Sequence, residues 1–221
     1  MLLVAATQAE IAPLLHYLQS QWICHSGNHY NHNGVNLQVC IGGVGMLQMS
    51  YSLSKALQGQ HFDMALMAGI AGSFDVHLPL ASLVQVGTEY MGDLGAEDHD
   101  KFLDVFELGL GNKNEFPFKD GGLVAPGLPR KELVALPWLN GITVNTVSGS
   151  NHTIQKRAQH FKCSIESMEG AAFHYTCLME HLPFAHVRSI SNYVEPRDKS
   201  KWKIKEAIIA LNNWLIDFVQ Q

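Results

Sequence analysis

Three polar residues stand directly after apolar runs of this chain: Glu10 in Thr7-Gln8-Ala9-Glu10, Glu169 in Ser167-Met168-Glu169-Gly170, and Asn192 in Arg188-Ser189-Ile190-Ser191-Asn192. A positioned carboxylate can take a proton from water, which makes Glu10 a candidate base. A carboxylate also accepts a pair of hydrogen bonds from vicinal hydroxyls, so Glu169, with the apolar Met168 against the ring, can hold a ribose. The carboxamide of Asn192 can read a base, although asparagine also suits a turn. Each glutamate has a plainer use. Thr7 and Glu10 have the spacing of a capping box, in which the carboxylate returns to the Thr7 amide. Pro13 argues against it, because a helix capped at Thr7 would put that proline in its second turn at a cost of around 3 kcal/mol. The helix is therefore expected to begin near Glu10, leaving the carboxylate at the mouth of a sheet. Glu169 opens an apolar helix, where a negative charge gains about 0.3–1 kcal/mol from the dipole without further purpose.

These residues need a scaffold, and the apolar runs Leu2–Thr7, Val35–Ile41, Met64–Ala68, Leu83–Val86, Ile142–Val147 and Phe184–Ile190 read as buried strands. Helical spacing follows several of them, in Ile11, Leu14, Leu15 and Leu18, then Leu47, Tyr51, Ser54 and Leu57, and last Ile204, Ile208, Leu211, Leu215 and Phe218. Alternating strand and helix predict an α/β layered fold on a largely parallel sheet, with ligands at the carboxyl ends of strands. The stretch 109–137, rich in Gly, Pro, Lys and Asn, reads as a long surface excursion.

Two glycine segments follow predicted strands. Gly42-Gly43-Val44-Gly45 invites a dinucleotide reading, but Gln48 stands where a third glycine is required, and a tight turn suffices. Ala68-Gly69-Ile70-Ala71-Gly72-Ser73 offers backbone amides that a ligand can approach closely. Of the twelve histidines, only His25, His29 and His32 cluster, amid turn residues poorly suited to presenting metal ligands, while His174 and His186 read as satisfied core residues. Ser148-Gly149-Ser150 is too generic to nominate a nucleophile.

The whole chain, 221 residues with 47% hydrophobic and 16% charged, fits one globular domain spanning 1–221 and excludes disorder. Its net charge of −5 supplies no overall positive field for nucleic acid or anionic lipid, so a small ligand is expected. Cys24, Cys40, Cys163 and Cys177 form no CxxC pair and read as reduced, buried thiols, which points to the cytoplasm. The opening run Leu2–Ala6 has no basic flank and reads as a strand rather than a signal peptide or membrane span.

Taken in order, ATQAEI, GGVG, AGIAGS, SGSNHT, SMEGAA and RSISN resemble the purine nucleoside phosphorylase and nucleosidase superfamily, in its methylthioadenosine nucleosidase branch. DLGAEDHDKF and SNYVEPRDKSKWKIKEAI are similar to the futalosine hydrolase family within it. The resemblance implies a three-layer α/β/α fold around a mixed sheet, a homo-oligomer, no metal and no cofactor. It also implies hydrolysis of the N-glycosidic bond of futalosine, with release of hypoxanthine, in menaquinone biosynthesis. By position, Glu10 matches the water-activating carboxylate and Glu169 the ribose acceptor. Met168 would pack beneath the sugar, the backbone of Ala71 and Gly72 would lie beside base and ribose, and His152 falls near a base-stacking aromatic. Adenine-specific nucleosidases carry aspartic acid at the position of Asn192; an asparagine donates through its NH2 to a 6-oxopurine edge and so favours hypoxanthine. Arg197, Lys199 and Lys201 are candidates for the carboxylate of the substrate's benzoate tail, and the loop of Asp98, His99 and Asp100 can reach a neighbouring subunit. A phosphorylase is the rival, but its Gly-Asp-Pro-x-Arg segment is replaced here by Ala6-Thr7-Gln8-Ala9-Glu10, whose carboxylate would repel phosphate. A purine-binding protein without turnover and a dinucleotide-dependent oxidoreductase are the remaining alternatives.

Overall fold

The computed structural model describes residues 1–25, 27–99 and 101–221. The chain opens with β1 (Leu2–Ala5) and α1 (Ala12–Gln21), then a hairpin β2 (Ile23–Cys24) and β3 (His29–His32) leading into β4 (Val35–Ile41) and α2 (Met46–Leu57). Next come β5 (Ala65–Ser73), β6 (Leu83–Met91), the small hairpin β7 (Gly95–Asp98) and β8 (Lys101–Asp104), then β9 (Phe118–Lys119), β10 (Gly122–Val124) and α3 (Lys131–Val134). The last part holds β11 (Trp138–Thr143), α4 (Asn151–Phe161), β12 (Ile165–Ser167), α5 (Gly170–Met179), β13 (Phe184–Tyr193) and α6 (Ile204–Val219).

Alternation along the central strands separates two cores. Leu3, Ala5, Leu66 and Ala68 face α1 and α6 through Leu14, Leu18, Leu211, Leu215 and Phe218. Leu2, Val4, Ala65 and Met67 face α2 and α5 through Met49, Leu53, Phe173 and Cys177. Helices on both faces explain why these strands read as continuous apolar runs, and the expected three-layer α/β/α architecture is the one observed. The sheet is mixed. Parallel pairing joins β1 to β4 and β5, β5 to β13, and β11 to β6 and β12. Antiparallel pairing of β12 with β5 and of β13 with β6 then closes a ring of five strands, β5, β12, β11, β6 and β13.

Several expected boundaries move. The small residues after Ala68 do not turn; pairing with β13 keeps them extended to Ser73. The strand expected at 142–147 starts earlier, at Trp138, and ends at Thr143. The excursion at 109–137 is not confined to the surface, because β10 pairs with β6 and brings Leu123, Ala125 and Leu133 into buried positions. Cys24 is exposed and Cys163 half-buried, where all four thiols were expected to be buried, and all four are free. Among the described residues no helix is long and apolar enough to cross a membrane.

Candidate active site

After β1 the backbone at Thr7 remains extended and a single 3-10 turn, Gln8–Ile11, precedes α1. This turn reconciles two readings that looked exclusive. Glu10 does return to Thr7, its Oε2 accepting from the Thr7 amide at 3.0 Å and the Thr7 hydroxyl at 3.2 Å. Pro13 is nevertheless comfortable, because α1 begins anew at Ala12 rather than near Glu10, and the second helical residue needs no N–H. Oε1 of Glu10 accepts from the Ile70 amide at 3.1 Å. The turn itself is tied down by the buried Asn212 of α6, which donates to the Glu10 carbonyl at 2.8 Å and accepts from the Leu14 amide at 3.0 Å. Although both carboxylate oxygens take main-chain amides, Glu10 borders a cavity of about 320 Å³.

Glu169 borders the same cavity from the start of α5. Its carboxylate does not cap its own helix. Oε1 instead accepts from the Gly45 amide at 3.1 Å, where a φ of +89° favours glycine, so the loop read as a tight turn also supplies a donor. Oε2 accepts from Nη2 of Arg188 at 3.3 Å.

Arg188, fully buried in β13, is the residue that the sequence reading passed over. Its Nη1 lies 4.0 Å from Glu10 Oε1 and donates to the Ile70 carbonyl at 3.1 Å, so one guanidinium stands between the two carboxylates. Gly69 makes room for it: a Cβ there would collide with Nη1 and fall 2.8 Å from Glu10 Oε1. Behind the pair lies Glu89, whose Oε1 accepts from the hydroxyls of Thr143 at 2.8 Å and Ser167 at 3.3 Å. Complete burial pushes the Glu89 carboxyl up to about 7, outweighing Thr143 and Arg188, which pull it down.

The other end of the cavity is shaped by a register shift between β13 and β5, where Ile190 pairs with Ala71 and Asn192 with Gly72, leaving Ser191 as the extra residue. Asn192 is thereby turned to the cavity together with Ala71 and Gly72. Its Nδ2 donates to the Tyr193 carbonyl at 2.9 Å, and its Oδ1 lies 2.8 Å from the Ser191 hydroxyl. One amide hydrogen, not two, is therefore left for a ligand. Trp202 and Arg197 complete this end, the guanidinium lying over the indole at 5.1 Å from its centroid. Lys201 instead pairs with Glu195 at 3.1 Å, and Lys199 is exposed outside the cavity wall.

Of the seven site residues expected, six line this one cavity: Glu10, Ala71, Gly72, Met168, Glu169 and Asn192. His152 does not. It is exposed in the first turn of α4, and Val147 and Ser148 reach the cavity from the preceding segment. The Ser148 hydroxyl, 2.6 Å from Glu166 Oε2 and contacted by Arg157 Nη1 at 2.8 Å, belongs to a wall network rather than to a nucleophile–base pair. His29 and His32 lie on β3 and do not converge with His25 on a metal-sized site; His32 stacks on Trp22. Among the described residues one group has metal-ligand spacing, Asp104, Glu107 and His160. There Asp104 Oδ1 and Glu107 Oε2 already accept main-chain amides at 2.8–3.0 Å. Asp98 and His99 are exposed neighbours, and Asp100 lies outside the described residues.

No protein-family model matches the chain. It is 33% identical over 174 residues to the futalosine hydrolase of Thermus thermophilus, covering 76% of this chain and 75% of that protein. It is also 33% identical over 158 residues to the futalosine hydrolase of Streptomyces coelicolor, covering 72% of this chain and 66% of that one, just under two thirds of its length. Among solved structures it is similar to the 5'-methylthioadenosine/S-adenosylhomocysteine nucleosidase of Helicobacter pylori with butyl-thio-DADMe-Immucillin-A. That likeness has a TM-score of 0.79 at 17% identity, over 99% of this chain and 97% of the other, and carries the fold.

Proposed function

The chain belongs to the futalosine hydrolase family, and from that premise we propose that it hydrolyses the N-glycosidic bond of futalosine, releasing hypoxanthine and dehypoxanthine futalosine in menaquinone biosynthesis. The observation that carries this reading is the pair of carboxylates, Glu10 and Glu169, facing one cavity with a single buried guanidinium between them. Cleavage passes through a sugar with oxocarbenium character, so the site must favour positive charge at the anomeric carbon and present water to it.

In this reading Glu10 Oε1 is the base, because Oε2 already accepts two hydrogen bonds while Oε1 accepts one at 3.1 Å. Water adds to the anomeric carbon as the carbon–nitrogen bond breaks; its proton passes to Glu10, and the purine leaves with the bonding pair. Glu169 takes the ribose hydroxyls, Met168 packs beneath the sugar, and Ala71 and Gly72 lie beside it. Asn192 donates its remaining amide hydrogen to the departing 6-oxopurine. Arg197 over Trp202, which carries no ion pair among the described residues, takes the carboxylate of the substrate's tail. A homo-oligomer and a cytoplasmic setting belong to the same proposal; the exposed Leu47 and Tyr51 on α2, beside the cavity residue Val44, support a covering subunit.

The test incubates the purified protein with futalosine, inosine and methylthioadenosine and measures free base with and without phosphate. Phosphate-independent release of hypoxanthine from futalosine is expected. Preference for methylthioadenosine would overturn the role of Asn192, and strict dependence on phosphate would replace hydrolysis by phosphorolysis.

A further inference from the structure

Beyond its contacts with Glu169 and the Ile70 carbonyl, the Arg188 guanidinium is held through its third nitrogen, on the side facing away from the cavity. Nε donates to Nε2 of His186 at 2.7 Å. Nδ1 of His186 lies 3.1 Å from Nε2 of His174, and Nδ1 of His174 lies 2.9 Å from the Leu123 carbonyl. All three side chains are at most 1% exposed.

The guanidinium fixes every proton in this row. It can only donate, so Nε2 of His186 must be bare and Nδ1 must carry the hydrogen. That hydrogen is directed at Nε2 of His174, which must also be bare, and the hydrogen on Nδ1 of His174 is left for the Leu123 carbonyl. Both rings are neutral in this arrangement, in keeping with burial, which lowers His174 to about 4 and His186 well below its ordinary value. Phe184 packs edge-on against His174 at 4.7 Å between centroids, and Phe173 against His186 at 6.0 Å, so neither ring is free to rotate away.

We infer that His186 and His174 are positioning residues that aim Arg188 between Glu10 and Glu169, anchored at the far end by the β10 carbonyl of Leu123. The segment 109–137 takes part in the row, because β10, which it contributes to the sheet, supplies the carbonyl at which the row ends. Neither histidine borders the cavity, so both act through the arginine.

The inference rests on the hydrolase reading for its rate measurements, and a second measurement stands apart from turnover. His186→Leu removes the acceptor and should lower kcat/KM by roughly 10–100-fold, the effect of a sub-ångström to 1 Å misplacement at a reacting site. His186→Gln, which offers an amide oxygen near the position of Nε2, should recover most of that loss. In an Arg188→Lys background, which has no Nε–H to aim, His186→Leu should add little. Equal losses for Leu and Gln, or losses that multiply in the double variant, would overturn the inference. Should His186→Leu fail to fold, the same comparison is made with His174→Phe and His174→Gln. Nitrogen chemical shifts of the two rings in the wild-type protein should report neutral imidazoles with hydrogen on Nδ1 at pH 7. A charged ring or the opposite tautomer would refute the row whether or not futalosine is cleaved.

Discussion

Replacing Glu10 by glutamine separates the two tasks assigned to its carboxylate. Glutamine offers one oxygen where glutamate offers two, and both oxygens of Glu10 are engaged, one with the amide and hydroxyl of Thr7, the other with the Ile70 amide. Either orientation of the new amide sets an NH2 group against a main-chain N–H. One buried donor without an acceptor costs about 1–3 kcal/mol. For a chain of this length each kcal/mol moves the midpoint about 2–4 °C, so Glu10→Gln should melt roughly 2–12 °C lower. Loss of the base should separately reduce turnover by about 10²–10⁴. Base release and thermal midpoint are to be measured on the same preparations, with the kinetics well below the variant's midpoint so that unfolding does not enter the rate. A lower midpoint with full turnover would show that the carboxylate only caps the turn. Full turnover with an unchanged midpoint would refute both assignments.

Asn212→Ala leaves the Leu14 amide and the Glu10 carbonyl without their buried partner, so it should cost about 1–3 kcal/mol in denaturant unfolding and lower kcat by moving Glu10. Arg197→Ala should raise KM for futalosine by roughly tenfold or more while leaving inosine unaffected, as steady-state kinetics on the two substrates would show. Stability should fall at both ends of the pH range. The folded-state value of His174 is depressed from 6.5 to about 4, so its contribution is present above pH 6.5 and is lost as pH falls toward 4. Glu89 is raised from 4.5 to about 7, so its contribution is present below pH 4.5 and is lost as pH rises through 7. Each amounts to about 3 kcal/mol at its limit. Glu89→Gln should therefore gain stability over the wild type at pH 8 and not at pH 4, by urea unfolding at the two values.

How much of this could be read in advance depends on whether a residue's role is local. The strands with continuous apolar runs were legible, and so was the approach of Glu10, Glu169 and Asn192 to one cavity, because each lies near the end of its own element. Arg188 was not, although it lies in the same segment as Asn192: nothing in Arg188-Ser189-Ile190 marks it as buried, and its partners come from β5, α5 and its own strand. Asn212, 202 residues from the Glu10 carbonyl it holds, gave no local signal either. The opposition drawn between the capping box and Pro13 failed for another reason, since it assumed one helix where the chain makes a 3-10 turn and then a second start. His152 was placed by order along the chain, and the first turn of α4 faces it outward.

The charge balance of the site connects these residues to the chemistry. Glu10, Glu169 and the Arg188 guanidinium between them sum to a net charge of −1, and Glu89 behind them, raised to about 7, is half ionised at pH 7. At an effective dielectric constant of 20, one such charge about 5 Å from a developing cation is worth about 3 kcal/mol, or roughly 10² in rate. The same excess opposes an incoming phosphate by a similar amount, so this deep end suits water as the nucleophile. With a second cation the excess would vanish. A single guanidinium, held away from solvent and aimed from behind, lies between both carboxylates and still leaves one net negative charge toward the sugar carbon, which in the proposed reaction turns positive as the purine departs.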